Sequence, residues 1–321
     1  MRPLVGVIIL NFNRASDTIE CVESLQTCSY QNMLIWVVDN GSTDGSENIL
    51  RGRLRGIELF QTGSNLGFAA GNNWAFNKIK GRKCKYLLLL NNDTLVDPLF
   101  LEKLVDELEN NQQAAVAGGT IFEYSDKDRV WYAGGTFEFW RATCTSRIAG
   151  KAREDICFGN NIEVTFVTGC LFLLRVEALK DQKLFDPRFF MYFEDCELSI
   201  RLHQSGNKLI YVPQAIIYHK VAHGGTTPFT LYFGVRNRFL FLDLVSNGFE
   251  RFVGHTYLYF VFSVKALWWI VTAPRLAMAV AYGWFDYIKG NFEMGRGNQM
   301  LHNRSLAKNK EIKGSMCANL Y

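Results

Sequence analysis

The sequence predicts an α/β domain whose mostly parallel sheet is flanked by helices, followed by a C-terminal helical extension. Three observations predict it. Short apolar runs alternate with helix-like segments over residues 4–110, polar motifs directly follow several of these runs, and the composition becomes apolar and aromatic beyond about residue 240. A chain of 321 residues is long enough to bury one such domain with a smaller appendage.

The N-terminal elements follow from their apolar patterns. Short continuous apolar runs are typical of strands covered on both faces, and apolar residues at helical spacing indicate helices. Strands are predicted at 4–10, 34–38, 57–61 and 86–90, and helices at 17–26, from 46 through 50, at 67–80 and at 98–110. Ser16 is expected to cap the first helix. Strand and helix alternate four times, so the strands are expected to be parallel.

The pattern loosens between residues 117 and 168, where loops and short strands are expected to form an acceptor-facing surface. An apolar segment follows at 166–175, then an ordered stretch at 185–206, and short strands are predicted at 209–212 and 216–218. These segments complete a domain spanning residues 1–240.

Residues 241–321 are predicted to form an apolar helical hairpin and a polar tail. The stretches 257–272 and 273–287 are rich in aromatic residues, but Lys265, Pro274 and Arg275 interrupt them. Neither therefore offers the roughly 20 apolar residues that a membrane-spanning helix needs. The hairpin is expected either to lie on a membrane surface or to form a homodimer interface.

Charge and cysteine content restrict the function classes. The formal net charge of +4 is mild and no basic run is present, so nucleic acid is not an expected partner. The eight cysteines show no CxxC pair and no zinc-like spacing, which fits a reducing compartment. The N-terminal apolar run is too short for a signal peptide, and a cytoplasmic location is expected.

Three polar motifs stand at the predicted carboxyl ends of strands: 11–14, 39–46 and 91–94. In an open α/β sheet the ligand crevice lies outside these ends, so one crevice should collect all three. Asp39 followed by a Gly/Ser/Asp loop suits a nucleotide, because the carboxylate can accept hydrogen bonds from base or ribose and the loop amides can face phosphate. Alternatively, Asp39 and Ser42 only cap the next helix.

A metal site is indicated by Asn91, Asp93 and His219. Oxygen ligands at the mouth of a sheet suit Mg²⁺ or Mn²⁺, which share their coordination between few protein ligands and substrate phosphates. The alternatives are a turn role for Asp93 and a packing role for His219. Arg236 is a candidate for holding phosphate oxygens through its guanidinium.

Two adjacent carboxyl groups, Glu194 and Asp195, follow the apolar run 189–193. Apolar surroundings raise a carboxyl pKa and so favour use as a general base. The alternative is a helix N-terminus enriched in acidic residues.

Taken in order, several segments carry a family resemblance: 7–13, 37–46, 65–73, 90–94, 185–195, 218–220 and 236–237. Over about residues 4–240 the chain resembles the inverting family 2 glycosyltransferases with the GT-A fold, especially their rhamnosyltransferase-like branch. The resemblance implies that Asp39 binds the uracil or thymine-ribose part of a nucleotide-sugar donor. The expected nucleotide pocket comprises Asn11, Asn13, Asp39, Asn65, Gly67, Asn72, Asn92 and Arg236.

The resemblance also implies catalytic roles. Asp93 stands where the last aspartate of the family's Asp-X-Asp motif binds the divalent metal, and Asn91 replaces the first aspartate. His219 stands where some members supply another ligand. Asp195 would deprotonate the acceptor hydroxyl, and Glu194 would assist acceptor binding.

The expected function is metal-assisted inverting transfer of a sugar to a hydroxyl of a glycan or lipid-linked acceptor, in cell-surface polysaccharide biosynthesis. The donor is expected to be dTDP- or UDP-linked, with rhamnose as the preferred sugar, and the place is the inner face of the cell membrane. The alternatives are a non-catalytic nucleotide- or glycan-binding relative and a membrane-associated assembly protein.

Overall fold

A computed structural model describes residues 2–146, 148–156, 158–180, 182–221, 226–297 and 300. The first part of the chain alternates strands and helices: β1 (Val5–Asn11), α1 (Ala15–Gln26), β2 (Met33–Asp39), α2 (Ser46–Arg53), β3 (Glu58–Gln61), α3 (Gly67–Ile79), β4 (Tyr86–Asn91), β5 (Thr94–Val96) and α4 (Phe100–Asn110). The predicted alternation is confirmed, with boundaries that differ by a few residues.

The second part of the chain is richer in strands and then becomes helical. Its elements are β6 (Ala114–Glu123), β7 (Val130–Ala133), β8 (Gly135–Glu138), β9 (Thr143–Ser146), β10 (Ile162–Val164), β11 (Leu171–Arg175), α5 (Glu194–Gln204), β12 (Lys208–His219), α6 (Pro228–Val245), α7 (Gly248–Thr272) and α8 (Pro274–Lys289).

The main sheet of the described residues has ten strands, eight of them in the order β10-β12-β6-β11-β4-β1-β2-β3. Strands β3, β2, β1 and β4 are mutually parallel, β6 and β12 run the same way, and β11 and β10 run against them. β5 pairs with β12 and β7 with β6, while β8 and β9 form a separate hairpin. The mostly parallel α/β sheet predicted from the sequence is therefore confirmed.

The centre of the sheet is apolar because its strands are covered on both faces. In β1 and β4 nearly every residue is buried. β1 pairs in register with both neighbours, Ile9 lying opposite Val37 on one side and Leu90 on the other. This register brings the carboxyl ends of β1, β2 and β4 to one edge, which is where ligands bind in such sheets.

The start of α1 differs from the prediction. Ser16 does not cap the helix: the capping position is Arg14, whose side chain makes no capping hydrogen bond. The reason is that the Thr18 amide already donates to the Arg14 carbonyl at 3.1 Å, so the first turn closes before Ser16. Ser16 lies exposed within the helix.

The segment expected to be loops and short strands contains a long strand of the main sheet. All ten residues of β6 are buried. Strand propensity does not predict β6, because its centre contains small residues. A Cβ on Gly119 would come within 2.0 Å of the Ala215 carbonyl oxygen, so β6 and β12 lie too close together for a side chain there. The two short strands predicted at 209–212 and 216–218 are likewise one strand, β12, with a register shift between Val212 and Ile216.

The C-terminal region is helical, as predicted. α6 packs against α8, and α7 against α8, around a second apolar cluster that includes Phe233, Phe239 and Leu258. Position 240 lies inside α6. No described helix is long and apolar enough to cross a membrane. Most of the predicted polar tail (298–299 and 301–321) lies outside the described residues.

Candidate active site

The ends of β1 and β2 are joined by a hydrogen-bonded network centred on Asp39. The Asp39 carboxylate is fully buried and accepts hydrogen bonds from Asn11 Nδ2 at 2.7 Å, from Gln61 Nε2 at 2.7 Å, and from the amide and hydroxyl of Ser42. Asn11 in turn accepts a bond from Thr18 Oγ1 at 2.7 Å. A buried charge is stable only when paired or hydrogen-bonded in this way.

This network orders the 39–46 loop, and it excludes the alternative in which Asp39 and Ser42 cap the next helix. The capping position of α2 is Gly45 (φ 85°), and no side chain caps it. Asp39 instead holds the loop against the end of β1. Of the predicted nucleotide-site residues, Asn11 and Asp39 are thus brought into direct contact.

Asn13 and Asn92 lie at the margins of the same network. Asn13 adopts a left-handed φ of 55°, its amide donates to Ser42 Oγ at 2.9 Å, and its Oδ1 accepts from the Thr43 amide at 2.8 Å. Asn92 Nδ2 donates to Thr18 Oγ1 at 2.9 Å. The structure therefore gathers polar side chains of all three strand-end motifs at one edge.

Asn65 and Gly67 form the entry to α3 beside this edge. Asn65 Oδ1 accepts from the Gly67 amide at 2.9 Å and from Asn40 Nδ2 at 3.2 Å. Gly67 has φ +80°, and a Cβ there would lie 2.3 Å from the Phe190 carbonyl oxygen, so only glycine fits. Asn72 is placed differently: it is buried in α3 and its Nδ2 donates to the Phe68 carbonyl at 2.9 Å.

Asp93 and His219, predicted as metal ligands, are in contact. β5 pairs with the end of β12 so that Thr94 lies opposite His219, and Asp93 Oδ1 is 3.0 Å from His219 Nε2. Both residues are buried. Burial by itself raises the pKa of Asp93, but the charge and hydrogen bond of His219 and the charge of Arg14 outweigh it, so this pKa lies below its usual value.

The donor set of this pair fits a divalent cation in part. It offers one anionic oxygen and one imidazole, a combination that Mn²⁺ accepts. His219 Nδ1 is buried and has no hydrogen-bond partner among the residues described. No group of three His, Cys, Asp or Glu side chains that could hold a metal occurs in the described residues. A cation here would depend on oxygens supplied by a ligand, as Mg²⁺ and Mn²⁺ commonly do with substrate phosphates.

Glu194 and Asp195 begin α5 immediately after a strained turn. Tyr192 and Phe193 have φ of 70° and 75°, a region that bulky residues rarely adopt and that indicates a conformation held by its surroundings. Asp195 Oδ2 accepts from the Gly169 amide at 2.8 Å, and Oδ1 from the Cys196 amide at 2.8 Å. Amides at a helix N-terminus stabilise a negative charge at Asp195.

The two carboxyl groups have different environments. Burial and the neighbouring Asp195 charge raise the pKa of Glu194 well above its usual value, and Glu194 Oε2 has no hydrogen-bond partner in the described part of the chain. Burial and the Asp195 charge therefore favour the protonated form of Glu194, while two backbone amides donate to the Asp195 carboxylate. Two carboxyl groups whose environments shift their pKa values differently can take different chemical roles.

Asn237 holds the strained turn, and sequence reasoning did not assign it this role. Its Nδ2 donates to the carbonyls of Met191 at 2.8 Å and Tyr192 at 2.9 Å. The neighbouring Arg236, predicted to bind phosphate, is fully buried and donates to the Glu293 carbonyl at 2.7 Å. The structure places Arg236 between α6 and the end of α8, apart from the other predicted site residues.

A cavity of about 460 Å³ lies in front of the carboxyl pair. Of the predicted residues, Asn91, Glu194, Asp195 and His219 line it. The other lining residues come from α3, β6, β7, β9, the loops beside these strands and the turn before α5: Phe68, Glu123, Arg129, Val130, Trp131, Tyr132, Thr145, Ser146, Ala149, Gly150, Phe166, Thr168, Gly169, Cys170, Met191 and Tyr192. The 117–168 segment was expected to face the acceptor, but none of these side chains was predicted individually. The aromatic composition of this segment was the available signal, and the Trp131 ring packs edge-on against His219 at 4.6 Å.

Two solved structures with a similar fold are glycosyltransferases. The mannosyltransferase PcManGT from Pyrobaculum calidifontis, in complex with GDP-Man and Mn²⁺, aligns with a TM-score of 0.56 and 13% identity over 90% of this chain and 88% of that chain. GalNAc-T7 with UDP, GalNAc and Mn²⁺ aligns with a TM-score of 0.57 and 18% identity over 73% of this chain and 47% of that one. The fold is that of the GT-A glycosyltransferases, as the resemblance implied.

Sequence comparison gives the family. The model described as glycosyl transferase family 2 matches residues 6–182. The chain belongs to this family. It is also 24% identical, over 70% of its length and 78% of the relative's, to an N-acetylglucosaminyl-diphospho-decaprenol L-rhamnosyltransferase of Mycobacterium tuberculosis. A glucosyl-dolichyl phosphate glucuronosyltransferase of Haloferax volcanii is 22% identical over 69% of this chain and 70% of that protein.

Proposed function

We propose that this protein is an inverting, metal-assisted glycosyltransferase that moves a sugar from a nucleoside diphosphate donor to a hydroxyl of a lipid-linked glycan. The observation that carries the proposal is the cavity itself. It brings the Asp195 carboxylate to the same space as Asn91 and His219, which lie at the ends of β4 and β12. A single displacement needs a base and phosphate-binding residues at the same cavity.

The reaction follows from the charges of the chain's own residues. Asp195, anionic and held by the amides of Gly169 and Cys196, accepts the proton of the acceptor hydroxyl. The acceptor oxygen then attacks the anomeric carbon as the bond to the donor's diphosphate breaks, and one such displacement inverts that carbon. Burial raises the pKa of Glu194, and in its protonated form Glu194 can donate a hydrogen bond to the acceptor sugar.

The nucleotide is proposed to lie along the edge formed by β1 and β2. Asp39, Asn11 and Asn65 are proposed to shape the base and ribose pocket, with Asp39 acting through the loop it orders. Asn13, Gly67, Asn72 and Asn92 would border this pocket, while the buried position of Arg236 favours a structural role for it.

A divalent cation is proposed to be held by Asp93 and His219, with Asn91 beside them. When bound, it would neutralise charge on the leaving diphosphate. Asp93 is already anionic because of its low pKa, and His219 has a ring nitrogen with no other partner among the described residues. Both solved relatives named above were crystallised with Mn²⁺.

The donor and acceptor classes are proposed from the relatives. The mycobacterial relative is named as an L-rhamnosyltransferase acting on a diphospho-decaprenol, which supports a dTDP-rhamnose donor and a lipid diphosphate acceptor. A UDP-linked hexose is the second choice of donor, and the product would enter a cell-surface polysaccharide.

A thermal-shift panel tests the proposal. UDP, dTDP, GDP and CMP are each added with and without Mn²⁺ or Mg²⁺, because a ligand of the native state raises the Tm by mass action. We expect dTDP or UDP to raise the Tm in a metal-dependent way, and Asp93→Ala to abolish the metal dependence. Asp128→Ala, an exposed aspartate of the β6–β7 turn, is the matched control. A panel with no shift for any nucleotide would contradict the proposal.

We further propose that the α7–α8 hairpin rests on an anionic membrane surface at the cytoplasmic side. Its outer face exposes large apolar side chains to an extent that a protein surface rarely sustains: Phe252 70%, Phe260 69%, Leu267 68%, Trp268 70% and Val271 85%. The hairpin helices also expose basic residues, Arg251, Lys265, Arg275 and Lys289. Apolar area with basic flanks is the pattern of interfacial helices.

Liposome flotation tests the membrane contact. The protein should float with vesicles containing anionic lipid, and the double variant Leu267→Ser/Trp268→Ser should remain at the bottom of the gradient. Ile49→Ser removes an equally apolar, exposed side chain from α2 and serves as the control, which should float. A wild-type protein that stays at the bottom, and whose mass by light scattering is that of a dimer, would assign the face to self-association instead.

A further inference from the structure

A second cavity, of about 310 Å³, lies between β9 and helices α6 and α7. Three cationic side chains line it, Arg141, Arg238 and Lys265, and among the described residues that line it there is no carboxylate. Hydroxyl groups of Thr143 and Thr145 complete its polar wall. A partly enclosed site with several cations, hydroxyl donors and no acid suits an anion that brings more than one negative charge.

The cations in this cavity are close enough to repel one another. Burial and the charge of Arg238 lower the pKa of Lys265, and Lys265 has no ion pair among the residues described. Arg141 pairs with Glu138 at 3.2 Å, which offsets only part of the positive charge. Positive charges that lie close together and partly buried repel one another. An anionic ligand would reduce this repulsion.

The position of the cavity connects it to the catalytic turn. Thr145 lines both this cavity and the catalytic one. The Arg238 guanidinium lies 5.7 Å from the ring centre of Phe193, the residue that precedes Glu194, and 5.9 Å from that of Phe262 on α7. A ligand whose charged group lies here can therefore extend toward Asp195 on one side.

On its other side the cavity is bounded by α7. Val261 and Trp269 of that helix line it, and the outward face of the same helix carries the exposed Leu267 and Trp268. An apolar chain leaving the cavity would thus pass directly onto the surface proposed above to contact lipid. The second cavity thus lies between the cavity at Asp195 and an apolar surface. A lipid diphosphate sugar has the same order of parts, with its diphosphate between the sugar and the lipid.

We propose that this second cavity binds the diphosphate group of the lipid-linked acceptor, with the sugar directed to Asp195 and the lipid lying along α7. The choice of acceptor rests on the function proposed above, whereas the anion site rests on the cavity itself. Lysine contributes a point charge, and the guanidinium of Arg141 can bind two phosphate oxygens at once.

The experiment measures binding of three probes to the intact protein by calorimetry: geranyl diphosphate, inorganic diphosphate and geraniol. EDTA is present, so that the probes cannot bind through a divalent cation at the donor site. Lys265→Gln and Arg141→Gln should each weaken geranyl diphosphate by about tenfold or more, the scale of one lost charged hydrogen bond. Lys289→Gln removes a charge from the same hairpin outside the cavity and should leave the Kd unchanged.

Each outcome decides something. Geranyl diphosphate bound at least tenfold more tightly than inorganic diphosphate supports a lipid source for the anion; equal affinities would assign the cavity to free diphosphate and overturn the acceptor proposal. Geraniol bound as tightly as geranyl diphosphate, or unchanged affinity in Lys265→Gln, would overturn the anion site. If nucleotides do not bind but geranyl diphosphate still does, the transferase proposal fails while the isoprenyl diphosphate site is supported.

Discussion

The strand-end network around Asp39 and the turn before α5 both carry buried carboxylates, but they are held in opposite ways. Asn11, Ser42 and Gln61 donate hydrogen bonds to the Asp39 carboxylate, so this carboxylate is satisfied by the protein's own donors. The turn at Tyr192 and Phe193 is strained, and Glu194 keeps an oxygen without a partner in the described chain. The first region therefore holds its shape through its own hydrogen bonds, whereas the strain and the unpartnered oxygen of the second support its proposed role in acting on a ligand.

Asp195→Asn should give the largest effect, because it removes the proposed base while leaving size and shape unchanged. We expect sugar transfer to fall by about 10³-fold, within the range for loss of a general base. Nucleotide binding, measured by thermal shift, should stay at the wild-type level. Transfer at more than a tenth of the wild-type rate would remove Asp195 from this role.

Asn237→Asp tests whether the strained turn is held from α6. Aspartate has the same shape but no N–H groups, so the carbonyls of Met191 and Tyr192 lose their donors. Removing the Asn237 donor from these two partly buried carbonyls should cost roughly 2–4 kcal/mol in the free energy of unfolding, measured by urea denaturation. The kcat should fall while the KM for the donor is kept. A stable variant with unchanged kcat would show that the turn does not need this support.

Asp39→Asn should break the other region. Its new NH₂ group faces donors, so at least one hydrogen bond of the network is lost, and the expected cost is about 1–3 kcal/mol in unfolding free energy. Because the loop it orders is proposed to shape the donor pocket, nucleotide affinity should fall as well. Asp44→Asn, in the same loop, is the control, because within the described ranges the Asp44 side chain accepts a hydrogen bond only from the nearby Ser46 amide. Equal nucleotide affinity in Asp39→Asn and wild type would separate this loop from donor binding.

Glu194→Gln should have the smallest effect on sugar transfer, because glutamine can still donate a hydrogen bond, and its effect on stability depends on pH. The pKa of Glu194 is raised in the folded state above its ordinary value of 4.5, so the folded protein binds the proton more tightly than the unfolded chain. Glu194 therefore favours folding fully below pH 4.5. This contribution is lost as the pH rises from 4.5 through the raised folded-state pKa. Glutamine mimics the protonated form, so the variant should lose up to about 1.4 kcal/mol per pH unit of this dependence. Parallel pH profiles of wild type and variant, from pH 5 to 8, would contradict the assignment.

The sequence predicted the first region better than the second. Asn11, Asp39 and Asn91 end strands whose apolar runs are unmistakable, and parallel strands must bring such ends to one edge. β6 was not predicted as one long strand because two glycines lie in its centre, where Gly119 makes room for the Ala215 carbonyl. Local propensity cannot report a close approach between strands that are distant in sequence.

Helix α6 shows the same limit. It is apolar on nearly all sides, so its pattern does not indicate which face Arg236 and Asn237 occupy. Arg236 was chosen for its charge, yet its guanidinium lies against backbone carbonyls at the end of α8, while the uncharged Asn237 supports the catalytic turn. Only the packing of α6 beside α5 and α8 distinguishes the two roles.

The central claim is a single displacement with Asp195 as the base, and the anomeric configuration of the product tests it most directly. The transfer reaction is run with the donor whose nucleotide gives the largest thermal shift and an isoprenyl diphosphate-linked sugar as acceptor, and the product linkage is read by NMR. A single displacement gives the product an anomeric configuration opposite to that in the donor. A product with the donor's configuration retained would contradict it.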